Sequence, residues 1–367
     1  MKIKSKFTAA LVATLLGASF LTANVKAADV NESSQDQATQ TQVVDTSKAV
    51  NYFKTNPKII KLKKATTLYK DTALTNPDHK AKAGYHYLIS SLITNDDGSK
   101  VLKTSSGLYI SADTALSSKV KGYQNPSKYH QVHYTQIKPY GKVGYNLYRG
   151  YEGIKTWKVM HKMGTWAGTN YYNQATYNAV KNFQRRHGLK ATGNVNLKTW
   201  QKMGFSKKEW YGIDSYVAPL AAKAWQGRSA HIEAMIKQAY KYMGKPWLAG
   251  CSSSPAYGVD CSGLVMQALY AGGISPEPVS SIGHAHPGNE WNSRNLWADK
   301  KLKRVAYSQR KRGDLVFYYQ PGTHTIWHVA IYLGNNRVIE SWPPYVSVQP
   351  IVNSQRNVIA GIKRPFI

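Results

Sequence analysis

Asp260-Cys261-Ser262-Gly263-Leu264-Val265 is the stretch on which the interpretation of this chain depends. Apolar residues continue after it at helical spacing until Gly272-Gly273, which predicts a short helix that ends at the glycines. Cys261 then lies in the first helical turn, where unpaired backbone N–H groups favour an anion. Such a position lowers the pKa of a cysteine thiol below its usual value of about 8.5. Cys261 is therefore a candidate nucleophile, with a buried structural cysteine as the alternative.

A candidate base for this thiol lies further along the chain. A thiolate nucleophile needs a base, and the base needs a third group that orients it. His328 begins an apolar strand and is the best candidate base. If Gly334-Asn335-Asn336 is a three-residue hairpin loop, Leu333 pairs with Arg337 and Glu340 shares a face of the sheet with His328. A two-residue loop without a bulge would place Glu340 on the opposite face, and the alternatives are a structural strand histidine and a solvated carboxylate.

The N-terminal residues have the composition of an export signal. A basic start is followed by an apolar segment from Phe7 to Ala23, and small residues precede a cleavage point after Ala27. This pattern predicts a signal peptide over 1–27, and an uncleaved membrane anchor is the alternative. Residues 28–50 are polar and are expected to form a disordered tether. We expect a secreted protein associated with a Gram-positive type of cell wall, with no membrane span after cleavage.

The chain is strongly basic. Its 367 residues include 49 Lys and Arg against 19 Asp and Glu, a formal net charge of +30. An exported protein rarely meets nucleic acid, so teichoic acids and other wall polyanions are the expected anionic partners. A role of the charge in solubility alone is the alternative. The two cysteines, Cys251 and Cys261, could form a disulfide that would silence the nucleophile, and no role is assigned to Cys251.

Residues 51–124 predict a small all-β module, because short β-type runs alternate there with turn-forming segments such as Asn76-Pro77-Asp78. The strand spacing and the ending Gly107-Leu108-Tyr109-Ile110 resemble the Src-homology-3-type modules of bacterial wall hydrolases. That resemblance implies wall binding, and a mere spacer is the alternative. Residues 125–150 are expected to be a connector.

Residues 151–204 change to a helical period with three apolar runs. The pieces Thr176-Tyr177-Asn178-Ala179-Val180, Phe183-Gln184 and Thr199-Trp200 resemble the three-helix peptidoglycan-binding domain found beside wall lytic enzymes. Trp157, Phe183 and Trp200 are assigned to its core. A helical linker domain is the alternative, and residues 205–228 are expected to form a second connector.

Residues 229–367 predict an α+β domain. Four ordered blocks resemble the NlpC-type cell-wall cysteine peptidases: Pro246-Trp247, then Asp260 to Val265, then Arg312 to Phe317, then His328 to Gly334. The resemblance implies a papain-like fold in which a helix carrying the nucleophile packs against a sheet. The chain is therefore expected to be multidomain, with this domain at the C-terminus.

The resemblance also implies site residues. Cys261 matches the nucleophile and His328 the base, and Glu340 falls where a histidine or another polar residue is usual. A carboxylate accepts the imidazole N–H and stabilises the imidazolium, so the role survives the replacement. Trp247 stands where relatives often have tyrosine. With Asp260 and Ser262, it completes the substrate-binding residues that the resemblance implies.

The expected activity is hydrolysis of peptidoglycan stem peptides, commonly between D-γ-glutamyl and the following diamino acid. An N-acetylmuramoyl-L-alanine amidase and a non-catalytic wall-binding protein are the alternatives. No cofactor is expected. His284 and His286 lie in a long insertion from Ile274 to Arg304 that is expected to wall the cleft, and they lack nearby acidic or cysteine partners for a metal site.

Overall fold

The structure is a computed structural model that describes residues 50–139, 144–276, 292–352 and 358–367. These residues belong to one structural unit, Val50–Ile367. The predicted signal peptide, almost all of the predicted tether, and His284 and His286 of the predicted insertion lie outside the described ranges. None of the helices in those ranges is long and apolar enough to cross a bilayer.

The first part of the unit is all-β, as the sequence predicts. Its seven strands form one sheet of order β3-β2-β6-β5-β4-β1-β7: β1 Ile59–Leu62, β2 Thr66–Tyr69, β3 Pro77–Ala81, β4 His86–Thr94, β5 Lys100–Thr104, β6 Tyr109–Ser111 and β7 Ser117–Lys119. Alternate apolar side chains such as Ile60, Leu68 and Leu102 form its core. The segment expected to turn at Pro77 instead opens β3. This strand lies at the sheet edge, where a proline at the first position removes no required hydrogen bond.

Three helices follow in the region predicted to be helical: α1 Ile154–Met163, α2 Gln174–Arg186 and α3 Leu197–Lys202. Gly164 ends α1 in the left-handed conformation that glycine adopts without strain. Phe183 and Trp200 are buried in the shared core, as expected. Trp157 lies outside that core, in a separate cluster with Leu248 and Cys251. The helical spacing of Trp157 shows that this face of α1 is buried, but it does not show which residues bury it. Leu248 and Cys251, from the C-terminal part of the chain, lie against it.

A fourth helix, α4 Lys207–Gly212, lies in the segment expected to be a connector. Its N-terminus carries a capping box in which the Ser206 side chain accepts from the Glu209 backbone and the Glu209 side chain accepts from the Ser206 backbone. The Ser-x-x-Glu signature was present in the sequence, and the helix is too short to show a hydrophobic period.

The predicted connectors are packed against the rest of the unit. Asn125 is buried, donates to the Pro365 carbonyl at 2.9 Å and accepts from the Ile367 N–H at 3.0 Å. His130 lies 2.5 Å from the Asp299 carboxylate. These contacts hold the first connector along the C-terminal domain.

The C-terminal domain is a six-stranded antiparallel sheet with helices. Its elements are α5 Arg228–Tyr240, α6 Cys261–Ala271, α7 Ser293–Ala298, β8 Lys303–Val305, β9 Leu315–Tyr319, β10 Ile326–Gly334, β11 Arg337–Trp342, β12 Tyr345–Pro350 and β13 Ile359–Arg364. The strand order is β12-β11-β10-β9-β13-β8. Every residue of α6 is buried, and its apolar side chains pack against Phe317, Val329 and Ile331 of the sheet. The helix that carries Cys261 is therefore the centre of this domain.

The loop of the β10–β11 hairpin is one residue shorter than we expected, but the pairing of the strands beyond it is the expected one. Gly334, not Leu333, pairs with Arg337, so the loop is the two residues Asn335-Asn336, both at positive φ. A bulge between Tyr332 and Gly334 adds one residue to β10, which compensates for the shorter loop. Beyond the bulge Ile331 pairs with Ile339, which is the register that places residues 328 and 340 on one face.

Candidate active site

Asp260 fixes the start of α6. Its Oδ1 accepts from the Gly263 N–H at 2.8 Å and from the Ser262 hydroxyl at 3.0 Å, and its Oδ2 accepts from the Gly250 N–H at 3.0 Å. An acceptor at the N-cap satisfies backbone donors that the helix leaves unpaired. The carboxylate thus ties α6 to the preceding loop.

Gly263 lets the helix approach that loop closely. A Cβ at this position would lie 2.1 Å from the carbonyl oxygen of Cys251, which is far inside van der Waals contact. The same carbonyl accepts from the Asp260 N–H at 2.9 Å. Both cysteines are free, and Cys251 is fully buried. The backbone of Cys251 therefore forms part of the surface on which α6 packs.

The Cys261 sulfur lies against strand β10. Its Sγ is 4.0 Å from the carbonyl oxygen of Trp327, and the Val329 N–H donates to it. Burial raises the pKa of the Cys261 thiol to about 12, and the charge of Asp260 adds to the shift. The expectation of a lowered thiol pKa is wrong for this state. Hydrogen bonds from the helix start act in the expected direction, but desolvation outweighs them.

His328 and Glu340 form a buried pair. The imidazole Nε2 lies 2.7 Å from Glu340 Oε2, and the two side chains are 0% and 4% exposed. The other ring nitrogen, Nδ1, is buried and has no hydrogen-bond partner among the described residues. An acceptor held on Nε2 places the proton there in the neutral ring. Nδ1 is then left as a free acceptor for a proton.

The structure brings the sulfur to the main chain on both sides of His328, without a hydrogen bond between Sγ and the imidazole. Val329 packs with Cys261 in the cluster beneath α6, whereas Ala330 belongs to the cluster on the opposite face of the sheet. His328 is adjacent to the register shift of β10 against β9, where simple alternation ends. Catalytic hydrogen bonds are often loose before substrate binds, so this geometry is compatible with a Cys/His pair.

Aromatic side chains surround the imidazole. Trp342 meets the His328 ring edge-on at 5.1 Å and the Trp327 ring at 5.1 Å, and Tyr318 lies 5.4 Å from the imidazole. The Trp327 indole N–H is buried without an acceptor in the described part of the chain. The sequence analysis missed these three residues. The position of Trp327 directly before His328 was the available signal.

The residues expected to bind substrate have different environments. Trp247 is partly exposed, and its backbone N–H donates to the Pro344 carbonyl at 3.0 Å, next to the loop that follows Trp342. Ser262 is 2% exposed, and both carboxylate oxygens of Asp260 accept hydrogen bonds from the helix start and its loop. Asp260 and Ser262 therefore shape the helix start. Asp260 and Trp247 are both partly exposed, and only Ser262 is buried.

The described residues contain no group of three or more His, Cys, Asp or Glu side chains able to hold a metal ion. The arrangement as a whole consists of a cysteine at the start of a buried helix, a sheet against that helix, and a buried His–carboxylate pair on adjacent strands. This is the papain-like α+β class.

Comparison with protein families agrees with this class. Residues 238–359 match the NlpC/P60 family. Residues 161–203 match a peptidoglycan-binding domain, and residues 52–116 match DUF5776, a domain of unknown function.

Several curated proteins are similar to this chain. The bifunctional muramidase/DL-endopeptidase CwlT of Bacillus subtilis is 29% identical over 206 residues, which cover 52% of this chain and 56% of CwlT. The peptidoglycan endopeptidase RipA of Mycolicibacterium smegmatis is 30% identical over 35% of this chain and 24% of its own length. The chain thus spans little more than half of one relative and a quarter of the other.

Solved structures were also matched. The NlpC/p60 domain of the peptidoglycan hydrolase SagA is 26% identical with a TM-score of 0.27, covering 36% of this chain and 97% of that one. RipD of Mycobacterium tuberculosis, described as a non-catalytic NlpC/p60 domain protein, is 20% identical with a TM-score of 0.28, covering 37% and 98%.

Proposed function

We propose that this chain is a peptidoglycan hydrolase that cleaves stem peptides by cysteine-based acyl transfer, with Cys261 as nucleophile, His328 as base and Glu340 as orienting group. The observation that carries the proposal is the buried His328–Glu340 pair with a free Nδ1, on the strand that the Cys261 sulfur contacts. A solvated edge carboxylate would not be buried against a histidine in this way.

The mechanism begins with the protonated thiol. Rotation of the Cys261 side chain about its Cα–Cβ bond moves Sγ from the Trp327 carbonyl toward Nδ1 of His328. His328 takes the proton as the sulfur attacks the amide carbonyl, and Glu340 stabilises the resulting imidazolium. Backbone N–H groups at the start of α6 stabilise the oxyanion. The imidazolium then protonates the leaving amine, and water releases the acyl-enzyme.

The bond cleaved is proposed from the resemblance to be that between D-γ-glutamyl and the diamino acid. An N-acetylmuramoyl-L-alanine amidase would use the same Cys/His pair on the bond between sugar and peptide. A non-catalytic wall-binding protein would leave every muropeptide intact. The three functions therefore differ in their products.

The test uses residues 28–367 and purified muropeptides, with products identified by mass spectrometry. We expect a new amine on the diamino acid, and no product from Cys261→Ala or His328→Ala. Cys251→Ser is the matched thiol control and should retain activity if it folds. Hydrolysis by Cys261→Ala would refute the assignment, and release of free sugar chains with intact peptides would establish the amidase.

Export to the cell wall is part of the proposal and rests on residues 1–27. Expression of the full chain in a Gram-positive host, followed by N-terminal sequencing of the wall fraction, should give a chain that begins at Ala28. A chain recovered from the membrane with Met1 retained would support the anchor instead.

We also propose a site for the anionic wall polymer. A cavity of about 580 Å³ is lined by Tyr129, Trp297, Ala298, Lys300, Leu302, Lys303, Arg304 and Lys363. Lys300, Lys303 and Arg304 are exposed cations. Lys363 is buried and donates to the Asp299 carbonyl at 2.7 Å, and burial lowers its pKa to about 8. The guanidinium of Arg304 lies 4.4 Å from the centre of the Trp297 ring, which holds it in place. The chemistry suits phosphodiesters of the teichoic acid class.

The polymer site is tested with Lys300→Ala/Lys303→Ala and a matched pair at the C-terminal end of α5, Lys237→Ala/Lys241→Ala, which removes the same charge. Binding to walls that contain teichoic acid should weaken only in the first variant, and added salt should weaken it further. Equal loss in both variants, or equal binding to walls stripped of teichoic acid, would contradict the site.

A further inference from the structure

The helical peptidoglycan-binding domain makes a specific contact with the NlpC/P60 domain through Asn170. This residue lies between α1 and α2 and is fully buried. Its Oδ1 accepts from the Ala249 N–H at 2.8 Å, and its Nδ2 donates to the Ala249 carbonyl at 2.6 Å. The Gly153 N–H also donates to that carbonyl, at 3.0 Å. Both backbone groups of Ala249 are therefore bonded by the helical domain.

Ala249 is one residue away from the group that ties the loop to the nucleophile helix. The next residue, Gly250, donates its N–H to Asp260 Oδ2, and Asp260 Oδ1 caps the helix that begins with Cys261. One residue further, the Cys251 carbonyl accepts from the Asp260 N–H and lies against Gly263. A path of direct contacts thus runs from Asn170 to the first turn of α6.

The 248–251 loop also contacts the helical domain beside Asn170. Gly250 is at φ +65, and a Cβ there would lie 3.3 Å from Glu152 Cβ of the helical domain. Leu248 and Cys251 on either side are fully buried in a cluster with Ile154 of α1. The loop is therefore held by the helical domain on one side and by α6 on the other.

We propose that Asn170 is a positioning residue for the Cys261 nucleophile, so that the peptidoglycan-binding domain supplies part of the support of the catalytic site. This rests on the hydrolase function proposed above. Asn170 acts through Ala249, Gly250 and Asp260. Its loss frees the loop, loosens the carboxylate that fixes the helix start, and misplaces the sulfur relative to His328.

The test compares Asn170→Ala with Asn196→Ala. Asn196 caps α3 in the same domain by accepting from the Thr199 N–H at 2.9 Å, so its loss destabilises the domain without touching the loop. The substrate is a soluble muropeptide, too small to need wall anchoring. We expect kcat of Asn170→Ala to fall about tenfold with KM unchanged, because a small displacement of a reacting group is costly. Asn196→Ala should retain kcat.

Asn170→Asp tests the donor of the amide. Asn170→Asp keeps the acceptor for the Ala249 N–H but places a second carboxylate oxygen against the Ala249 carbonyl, so its kcat should fall at least as far as that of Asn170→Ala. Wild-type kcat in Asn170→Ala, or an equal loss in Asn196→Ala, would overturn the proposal.

A second measurement is independent of hydrolysis. Carboxamidomethylation of Cys261, followed by peptide mass mapping, should be faster in Asn170→Ala than in wild type, because burial is what suppresses the thiolate. It should be unchanged in Asn196→Ala. Unchanged alkylation in both variants would overturn the positioning role even if the wild type cleaved no muropeptide. Faster alkylation with an inactive wild type would instead count against the hydrolase function alone.

Discussion

At the scale of single residues, the His328–Glu340 pair is the most informative contact. Two titratable side chains are seldom buried together unless they are bonded to each other, since an unpaired polar group is costly to bury. Here the bond uses only one nitrogen of the ring, and the other faces no partner in the part of the chain that the structure describes. His231 is also buried with one ring nitrogen unbonded, but its other nitrogen meets only the Gly272 carbonyl. His328 differs because its partner is a carboxylate and because the Cys261 sulfur lies against its strand.

Glu340→Gln tests the role of the carboxylate. Glutamine retains an acceptor for Nε2 but loses the charge that stabilises the imidazolium. It can also present its amide N–H and reverse the tautomer. We expect kcat/KM on the muropeptide to fall by at least about tenfold. Glu233→Gln, which removes a half-exposed carboxylate bonded to Arg312 at 2.6 Å, is the control and should leave kcat/KM unchanged. Wild-type turnover in Glu340→Gln would exclude an electrostatic role.

The pKa of Cys261 gives a prediction for pH dependence. With the pKa raised to about 12 by burial, the thiolate fraction grows as the pH rises and stays small near neutrality. In a Cys251→Ser background, alkylation of the free protein should accelerate about tenfold per pH unit from about pH 7 to about pH 10. A small-molecule thiol measured in parallel should level off near its own pKa. A plateau for Cys261 below about pH 8 would contradict the raised pKa.

The structure tests the positions of the predicted site residues and leaves their roles as predictions. Cys261 lies at a helix start and His328 meets Glu340, as the sequence predicted. The burial of the sulfur was not predicted, because desolvation depends on side chains distant in sequence. Trp327 and Trp342 were missed for a similar reason, since a strand pattern shows which face is covered and not which rings meet across two strands.

At the scale of elements, the close packing of α6 on the 248–251 loop determines where Cys261 lies. The helix is buried on all sides, so its position cannot shift without disturbing the sheet beneath it. Its capping carboxylate and its glycine both act at the first turn. The first turn is therefore the least tolerant part of the element.

Gly263→Ala tests the close packing of α6 on the 248–251 loop. The added methyl group would meet the Cys251 carbonyl oxygen at 2.1 Å, and backbone must move to relieve the clash. We expect a loss of about 1–3 kcal/mol in the free energy of unfolding, as for other overpacked sites, together with reduced turnover. Gly227→Ala at the N-cap of α5 meets nothing within 4 Å and serves as the control. If chemical denaturation gave the two variants equal stability, the 248–251 loop would be able to move away from α6 at little cost.

Elements with a clear period were predicted well, and short or irregular ones were not. α2, β9 and β10 are close to the predicted segments because their apolar spacing is long enough to read. α4 has six residues and was taken for a connector, and β3 begins at a proline that suggested a turn. In the β10–β11 hairpin the loop length was wrong, yet the bulge restored the register, because the buried face of the sheet fixes which side chains point inward.

At the scale of the whole molecule, the segments predicted to be connectors are structural parts of the described unit. Asn125 of the first connector bonds both Pro365 and Ile367, and the neighbouring Tyr123, at the end of the predicted β-module, donates to the Ile367 carbonyl at 3.0 Å. Trp225 stacks on His86 of the β-module at 4.7 Å. The domain boundaries predicted from composition therefore mark changes in the kind of sequence. They do not mark flexible joints within the described unit.

Truncation tests this integration. A fragment that begins at residue 229 loses Asn170, Tyr123 and Asn125, and we expect a lower melting temperature and a lower kcat on soluble muropeptides than in the longer protein. A fragment that begins at residue 121 loses the β-module but keeps those three side chains, and its kcat should match that of residues 28–367. If the shorter fragment were as active and stable as the longer one, the contacts across the unit would be dispensable.

The bonding of Ala249 by Asn170 also bears on how such proteins can be recombined. The exchange of domains between proteins assumes that each domain folds and acts independently of its neighbour. In this chain the helical domain holds a loop of its neighbour through main-chain hydrogen bonds, so a foreign domain joined at the same residues would leave two backbone groups without their partners. A functional chimera would have to carry an amide side chain to the same place, or import the 248–251 loop together with its new support.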